Sequence, residues 1–162
     1  MRIGSIVDQH KGVPVFENGR VQALSHGRNY APCGYYLGQK WQCVEFVKRY
    51  YFSIYKHQMP HVWGHAFDYF DASLAQGELN SRRALRQYRN YSSALPQAGD
   101  IIICRDSKYG HVAIITQMMA DGFQVIQQNV YAKTRENYAL SNRDGVVVIE
   151  GSRKVEGWLS RQ

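Results

Sequence analysis

Apolar positions in this chain follow two rhythms. Over residues 42–56, Val44, Val47, Tyr51, Ile54 and Tyr55 recur at three- and four-residue steps, with Lys48, Arg49 and Lys56 between them. That spacing predicts an amphipathic helix. It ends before Met59-Pro60, because the residue ahead of a proline avoids helical geometry. Residues 64–76 place Phe67, Phe70 and Leu74 on one side and predict a second helix. Residues 12–24 read as a hairpin, with Val13, Val15 and then Val21 to Leu24 flanking the turn signal Glu17-Asn18-Gly19. Residues 25–40 are rich in Gly, Asn, Tyr and Pro and read as loop.

From Pro96 onward the period shortens. Pro96-Gln97-Ala98-Gly99-Asp100 is a turn, and Ile101 to Cys104 a strand. Asp106 to Gly110 turns again into Val112 to Met118, and Asp121-Gly122 leads into Phe123 to Gln128. Spacing this tight predicts antiparallel strands joined by hairpins. Val146 to Ile149 and Val155 to Leu159 add short strands. The order predicts an α+β fold, with N-terminal helices packed on one face of an antiparallel β-sheet.

A length of 162 residues suits a single domain, 1–162, and an apolar fraction of 44% excludes a disordered chain. No apolar run approaches the roughly 20 residues of a membrane helix. Asp8 comes too early for a signal-peptide apolar region, so a cytoplasmic location is expected, although signal-independent export fits the same sequence. Three cysteines, Cys33, Cys43 and Cys104, argue against a disulfide scaffold. Cys104 closes an apolar run and reads as a buried strand residue. The net charge of +7 favours anionic partners such as cell-wall polymer. Much of it sits in Arg82-Arg83-Ala84-Leu85-Arg86-Gln87-Tyr88-Arg89, which reads as a solvated helix face. No nucleic-acid-binding motif accompanies it, so no nucleic-acid partner is expected.

Cys43 stands where a Gly-containing turn becomes a helix. Free N–H groups and the helix dipole there favour a thiolate, whereas a lone cysteine is more often an inert core residue. His111 heads an apolar strand behind Gly110, a glycine that leaves room for a substrate to approach. An imidazole beside the thiol can hold its proton and later hand it to a leaving amine. Such a pair needs a third group to orient the ring. Gln127 and Asn129 share a strand face and are the candidates; a carboxamide oxygen accepts the imidazole N–H but stabilises an imidazolium less than a carboxylate. His61 and His65 lie four apart, but neither a following Glu nor a cysteine completes a metal set. No metal and no cofactor are expected.

The runs Lys40-Trp41-Gln42-Cys43-Val44-Glu45-Phe46, Gly110-His111-Val112-Ala113-Ile114-Ile115-Thr116-Gln117, Gln128-Asn129-Val130 and Gly157-Trp158 resemble the CHAP amidases. Among these, they are most similar to the amidase domains of bifunctional glutathionylspermidine synthetase/amidases. The resemblance implies a papain-like fold, and amide hydrolysis through a thioester acyl-enzyme. It implies Cys43 as nucleophile and His111 as base. Gln127 occupies the place of the family's third residue, a Glu, and Asn129 matches a position near the substrate. Lys48 stands where the family commonly has Arg. Trp41, Gln42, Lys48 and Asn129 are the candidate substrate contacts.

Three functions follow from the residues and the resemblance. The first is a glutathionylspermidine-type amidase acting on a small peptide-amide. The second is a peptidoglycan amidase or endopeptidase acting on stem peptides, as a lysis factor or secreted toxin. The third is a non-catalytic peptide- or wall-binding module. ATP-dependent synthesis is not expected, and a monomer is.

Overall fold

The computed structural model describes residues 2–162. In chain order the strands are β1 (Ile6–His10), β2 (Val13–Phe16), β3 (Arg28–Tyr30) and β4 (Tyr36–Gln39), followed by the helix α1 (Cys43–Tyr55). A 3₁₀ turn (Ala66–Tyr69) leads to β5 (Leu79–Asn80), β6 (Leu85–Arg89), β7 (Ile101–Cys104) and β8 (His111–Met119). The last four are β9 (Gly122–Ile126), β10 (Arg135–Arg143), β11 (Val146–Glu150) and β12 (Val155–Ser160). Eight strands form one antiparallel sheet in the order β11-β10-β9-β8-β7-β12-β6-β5.

Both faces of the central strands are buried. Ile101, Ile103, Val112, Ile114, Ile126 and Leu159 face α1, which packs Phe46, Val47, Tyr50 and Tyr51 onto them. Ile102, Cys104, Ala113, Ile115, Val125 and Trp158 face the opposite side with Phe123 and Tyr138. Two covered faces explain why β7 and β8 read as continuous apolar runs rather than alternating ones. Helix α1 ends in an αL motif: Lys56 is left-handed at φ 56 and its N–H donates to Phe52 O at 3.1 Å.

The expectation of several N-terminal helices fails: the only α-helix among the described residues is α1. The segment 64–76 keeps a single 3₁₀ turn because tertiary partners take its backbone groups. Phe67 N–H bonds Tyr109 O at 2.8 Å, and the Gln87 side chain bonds both Asp71 N–H (2.9 Å) and Asp71 O (2.7 Å). Asp71 then caps Ser73 N–H at 3.0 Å and turns the chain away. The N-terminal hairpin lies one strand earlier than expected. Its turn is Lys11-Gly12, both at positive φ, while 17–27 is irregular. The supposed loop 25–40 contains the ribbon β3-β4. The basic run 82–89 is mostly strand, not helix: Leu85 and Gln87 point inward while Arg86 points out. Arg83, ahead of β6, is fully buried over the Tyr69 ring.

Candidate active site

Cys43 is the first residue of α1. Gln42, at the N-cap, is extended (φ −76, ψ 162) and makes no side-chain cap, so first-turn N–H groups are free to meet the thiol. The backbone N–H groups of Val112, at the start of β8, and of Val44 favour the thiolate. Burial is nevertheless the larger effect and pushes the Cys43 thiol up. The expectation of an easily ionised thiol is therefore corrected: the helix start favours the thiolate, but burial of the sulfur outweighs it.

His111 is the first residue of β8 and is 3% exposed. Burial pushes its imidazole down to about 4, against the support of Gln127. Burial therefore favours the uncharged form of each group, and no hydrogen bond joins Cys43 to His111 among the described residues. Gly110 does not open a path to the ring. It sits at φ +71, and a Cβ there would lie 2.7 Å from both Cys104 O and Phe67 N. Its bare Cα lets the 3₁₀ turn press against the start of β8.

Of the two carboxamides, Gln127 reaches the ring. His111 Nε2 donates to Gln127 Oε1 at 2.8 Å, an oxygen that can only accept. The proton is thus on Nε2 and Nδ1 is the basic nitrogen. The other end of the same amide, Gln127 Nε2, donates to Lys133 O at 3.2 Å and to Glu136 Oε2 at 3.0 Å.

Asn129, left-handed at φ 70, has other partners. Its Nδ2 donates to Gln42 Oε1 (2.9 Å) and Gln22 O (3.0 Å), and its Oδ1 accepts from Asn18 Nδ2 (2.8 Å). Gln42 Nε2 donates to Gln22 O (3.1 Å) and Leu24 O (2.7 Å). The two side chains therefore pin the 22–24 segment beside the helix start. Trp41 is half-buried, packed on Phe16 with ring centroids 4.2 Å apart. Lys48 is not brought to this group. It is fully buried, donates to Val62 O at 2.8 Å, and lies over the rings of Tyr35 and Tyr36. A substrate contact at Lys48 is therefore a misreading, because the helix turns its ammonium into the protein. His61 and His65 are not on a common helix face either, since the helix that would align them is absent.

One cluster escaped the sequence reading. Glu45, fully buried, takes Arg49 at 2.7 and 3.2 Å, Asn29 Nδ2 at 3.0 Å and Gln128 Nε2 at 2.9 Å. Gln128 also accepts Phe16 N–H at 2.9 Å and donates to Gln42 O at 2.8 Å. This network ties the N-terminus of α1, where Cys43 begins the helix, to β2 and to the segment after β9. The i,i+4 spacing of Glu45 and Arg49 was its visible signal. A cavity of about 270 Å³ opens beside it, lined by Phe16, Glu17, Asn18, Gln127, Asn129 and Tyr131 among others.

The CHAP domain profile matches residues 34–129, more than half of the chain, and spans the helix start, the β8 histidine and the carboxamides. The chain belongs to the CHAP domain family. Among curated CHAP relatives, it is 35% identical over 102 residues to the bifunctional glutathionylspermidine synthetase/amidase of Escherichia coli (strain K12), covering 59% of this chain and 16% of that protein. The Shigella flexneri protein of the same name matches equally. A glutathionylspermidine synthase of Crithidia fasciculata is 29% identical over 139 residues, 73% of this chain and 19% of that one. The chain thus spans less than a fifth of the length of these relatives. Among the described residues, no helix is long and apolar enough to cross a membrane.

Proposed function

We propose that this CHAP domain is a cysteine-dependent amidohydrolase, with Cys43 as nucleophile, His111 as base and Gln127 orienting the imidazole. The observation that carries the reading is the 2.8 Å bond from His111 Nε2 to Gln127 Oε1, which leaves Nδ1 basic at the head of the strand that packs against α1. His111 Nδ1 takes the thiol proton as the sulfur attacks the substrate carbonyl carbon. The electron pair of the C=O bond moves onto oxygen, where the Cys43 backbone N–H helps hold it. The imidazolium gives its proton to the amine nitrogen, the C–N bond breaks, and a thioester remains. Water, deprotonated by His111, then cleaves the thioester and restores the thiol. Because both groups rest uncharged, proton transfer accompanies attack instead of preceding it.

Similarity to proteins named glutathionylspermidine synthetase/amidase favours a glutathionylspermidine-type amide as substrate. The net charge of +7 favours a second reading, hydrolysis of stem peptides on anionic wall polymer. Mass-spectrometric digestion of glutathionylspermidine and of purified peptidoglycan, side by side, separates the two. Spermidine release that Cys43→Ala abolishes supports the first, and stem-peptide release the second. Cleavage of neither by a folded protein refutes the hydrolase assignment for these substrates and favours a binding module.

A further inference from the structure

Gln127 occupies a position where a direct carboxylate partner would serve an imidazole better, and a carboxylate stands immediately behind it. We propose that Glu136 is a positioning residue for His111, acting through the Gln127 amide to fix which ring nitrogen carries the proton. The proposal rests on Cys43 and His111 being the working pair.

A primary amide has a donor end and an acceptor end, and the two exchange when it flips. At Gln127 the donor end meets two groups that only accept, Lys133 O at 3.2 Å and Glu136 Oε2 at 3.0 Å. A flip would set the amide oxygen against both. The oxygen is therefore held toward His111, and a ring nitrogen facing it at 2.8 Å must donate. That fixes the Nε2–H tautomer and leaves Nδ1 with its lone pair.

Glu136 is well placed for this. It lies on β10, opposite Val125 of β9, and its side chain is 12% exposed. Lys133 holds its other oxygen at 3.5 Å. Burial draws its carboxyl upward, but the Ser152 hydroxyl nearby, the Gln127 amide bond and Lys133 outweigh it and keep the group ionised. An ionised acceptor strengthens the amide N–H bond and polarises the amide oxygen facing the ring. No proton passes through the amide. Glu136 acts by orientation and by charge at one remove, the role outer partners take around metal-bound imidazoles.

The test uses protein labelled with ¹⁵N-histidine, with His111 assigned by comparison with His111→Gln. Long-range ¹H–¹⁵N spectra distinguish a protonated from a bare ring nitrogen. In the unaltered protein His111 should show a protonated Nε2 and a bare Nδ1. Glu136→Ala should mix the tautomers and lower kcat on the cleaved amide about tenfold, with KM little changed. Glu136→Gln keeps an acceptor and should keep the tautomer. The exchange Gln127→Glu with Glu136→Gln puts a carboxylate directly on Nε2–H and should restore kcat to within a few-fold of the parent. An unchanged tautomer in a folded Glu136→Ala overturns the proposal, as does an exchanged variant that is folded yet no faster than Glu136→Ala. The spectra need no substrate. A protein that cleaves no offered amide still reports its tautomer, so failure of the hydrolase reading is distinguishable from failure of this one.

Discussion

Between about pH 6 and pH 4, folding sets two buried groups against each other. His111 falls from the ordinary 6.5 to about 4 because burial disfavours its cation. Asp100, 3% exposed in the turn before β7, rises from 3.8 to about 6 because burial disfavours its anion, despite the N–H of Gln97 and the hydroxyl of Ser160. In this window the unfolded chain carries a proton on His111 that the folded chain lacks, so this contribution to stability falls as pH falls. The folded chain carries a proton on Asp100 that the unfolded chain lacks, so that contribution rises as pH falls. Each slope is about 1.4 kcal/mol per pH unit, and each contribution totals about 3 kcal/mol across its own range. The two should nearly cancel. Urea unfolding of the parent, Asp100→Asn and His111→Gln from about pH 6.5 to 4 tests this. Asp100→Asn should lose stability on acidification faster than the parent by about 1.4 kcal/mol per unit, and His111→Gln more slowly by a similar amount. Three parallel curves would refute the argument from burial, because the carboxylates held low elsewhere, Asp8 and Asp106, are common to all three proteins.

Gly110→Ala drives a Cβ into Cys104 O and Phe67 N at a positive φ, and should cost about 3 kcal/mol or more in urea denaturation, with resonances of the 3₁₀ turn and of β8 shifting together. Arg49→Met leaves the buried Glu45 carboxylate without its cation, and should cost about 3–5 kcal/mol by the same measurement. Lys48, pushed down to about 8 by burial, is charged at pH 7 at a cost, so Lys48→Met should be neutral or stabilising there, and the stability of the parent measured against Lys48→Met should rise with pH between about 8 and 10.5. Iodoacetamide at neutral pH, followed by peptide mapping, should label exposed Cys33 before buried Cys43, with Cys43 labelling rising as pH rises.

The sheet centre was legible because both its faces are dry. Ile101 to Cys104 and Val112 to Ile115 can be nothing but strand or buried helix, and the short turns between them decide for strand. Helix α1 was legible from its stripe. β10 was not: of Arg135–Arg143 only Tyr138 is fully buried, so the segment has the composition of a loop. β6 was misread because two arginines of one run have opposite fates, Arg83 inside and Arg86 outside. At the site, spacing brought out Cys43 and His111 as candidates, and alternation narrowed the third group to Gln127 or Asn129 without choosing between them. The role of Glu136 could not, because it arrives from a strand the sequence did not announce. Nor could the dryness that raises the thiol, since burial belongs to the assembled protein rather than to any short motif.

The placement of β12 between β6 and β7 has a consequence for how this protein comes to life on the ribosome. The strands on either side are made first, but the sheet joining them stays split until residues 155–160 emerge. Until then β7 presents an open edge, and the β7–β8 hairpin that carries His111 has a neighbour on one side only. Such long-range closure is slow relative to local pairing. A nascent chain would hold Cys43 and His111 beside an unfinished sheet until residues 155–160 are made and β12 slots between β6 and β7.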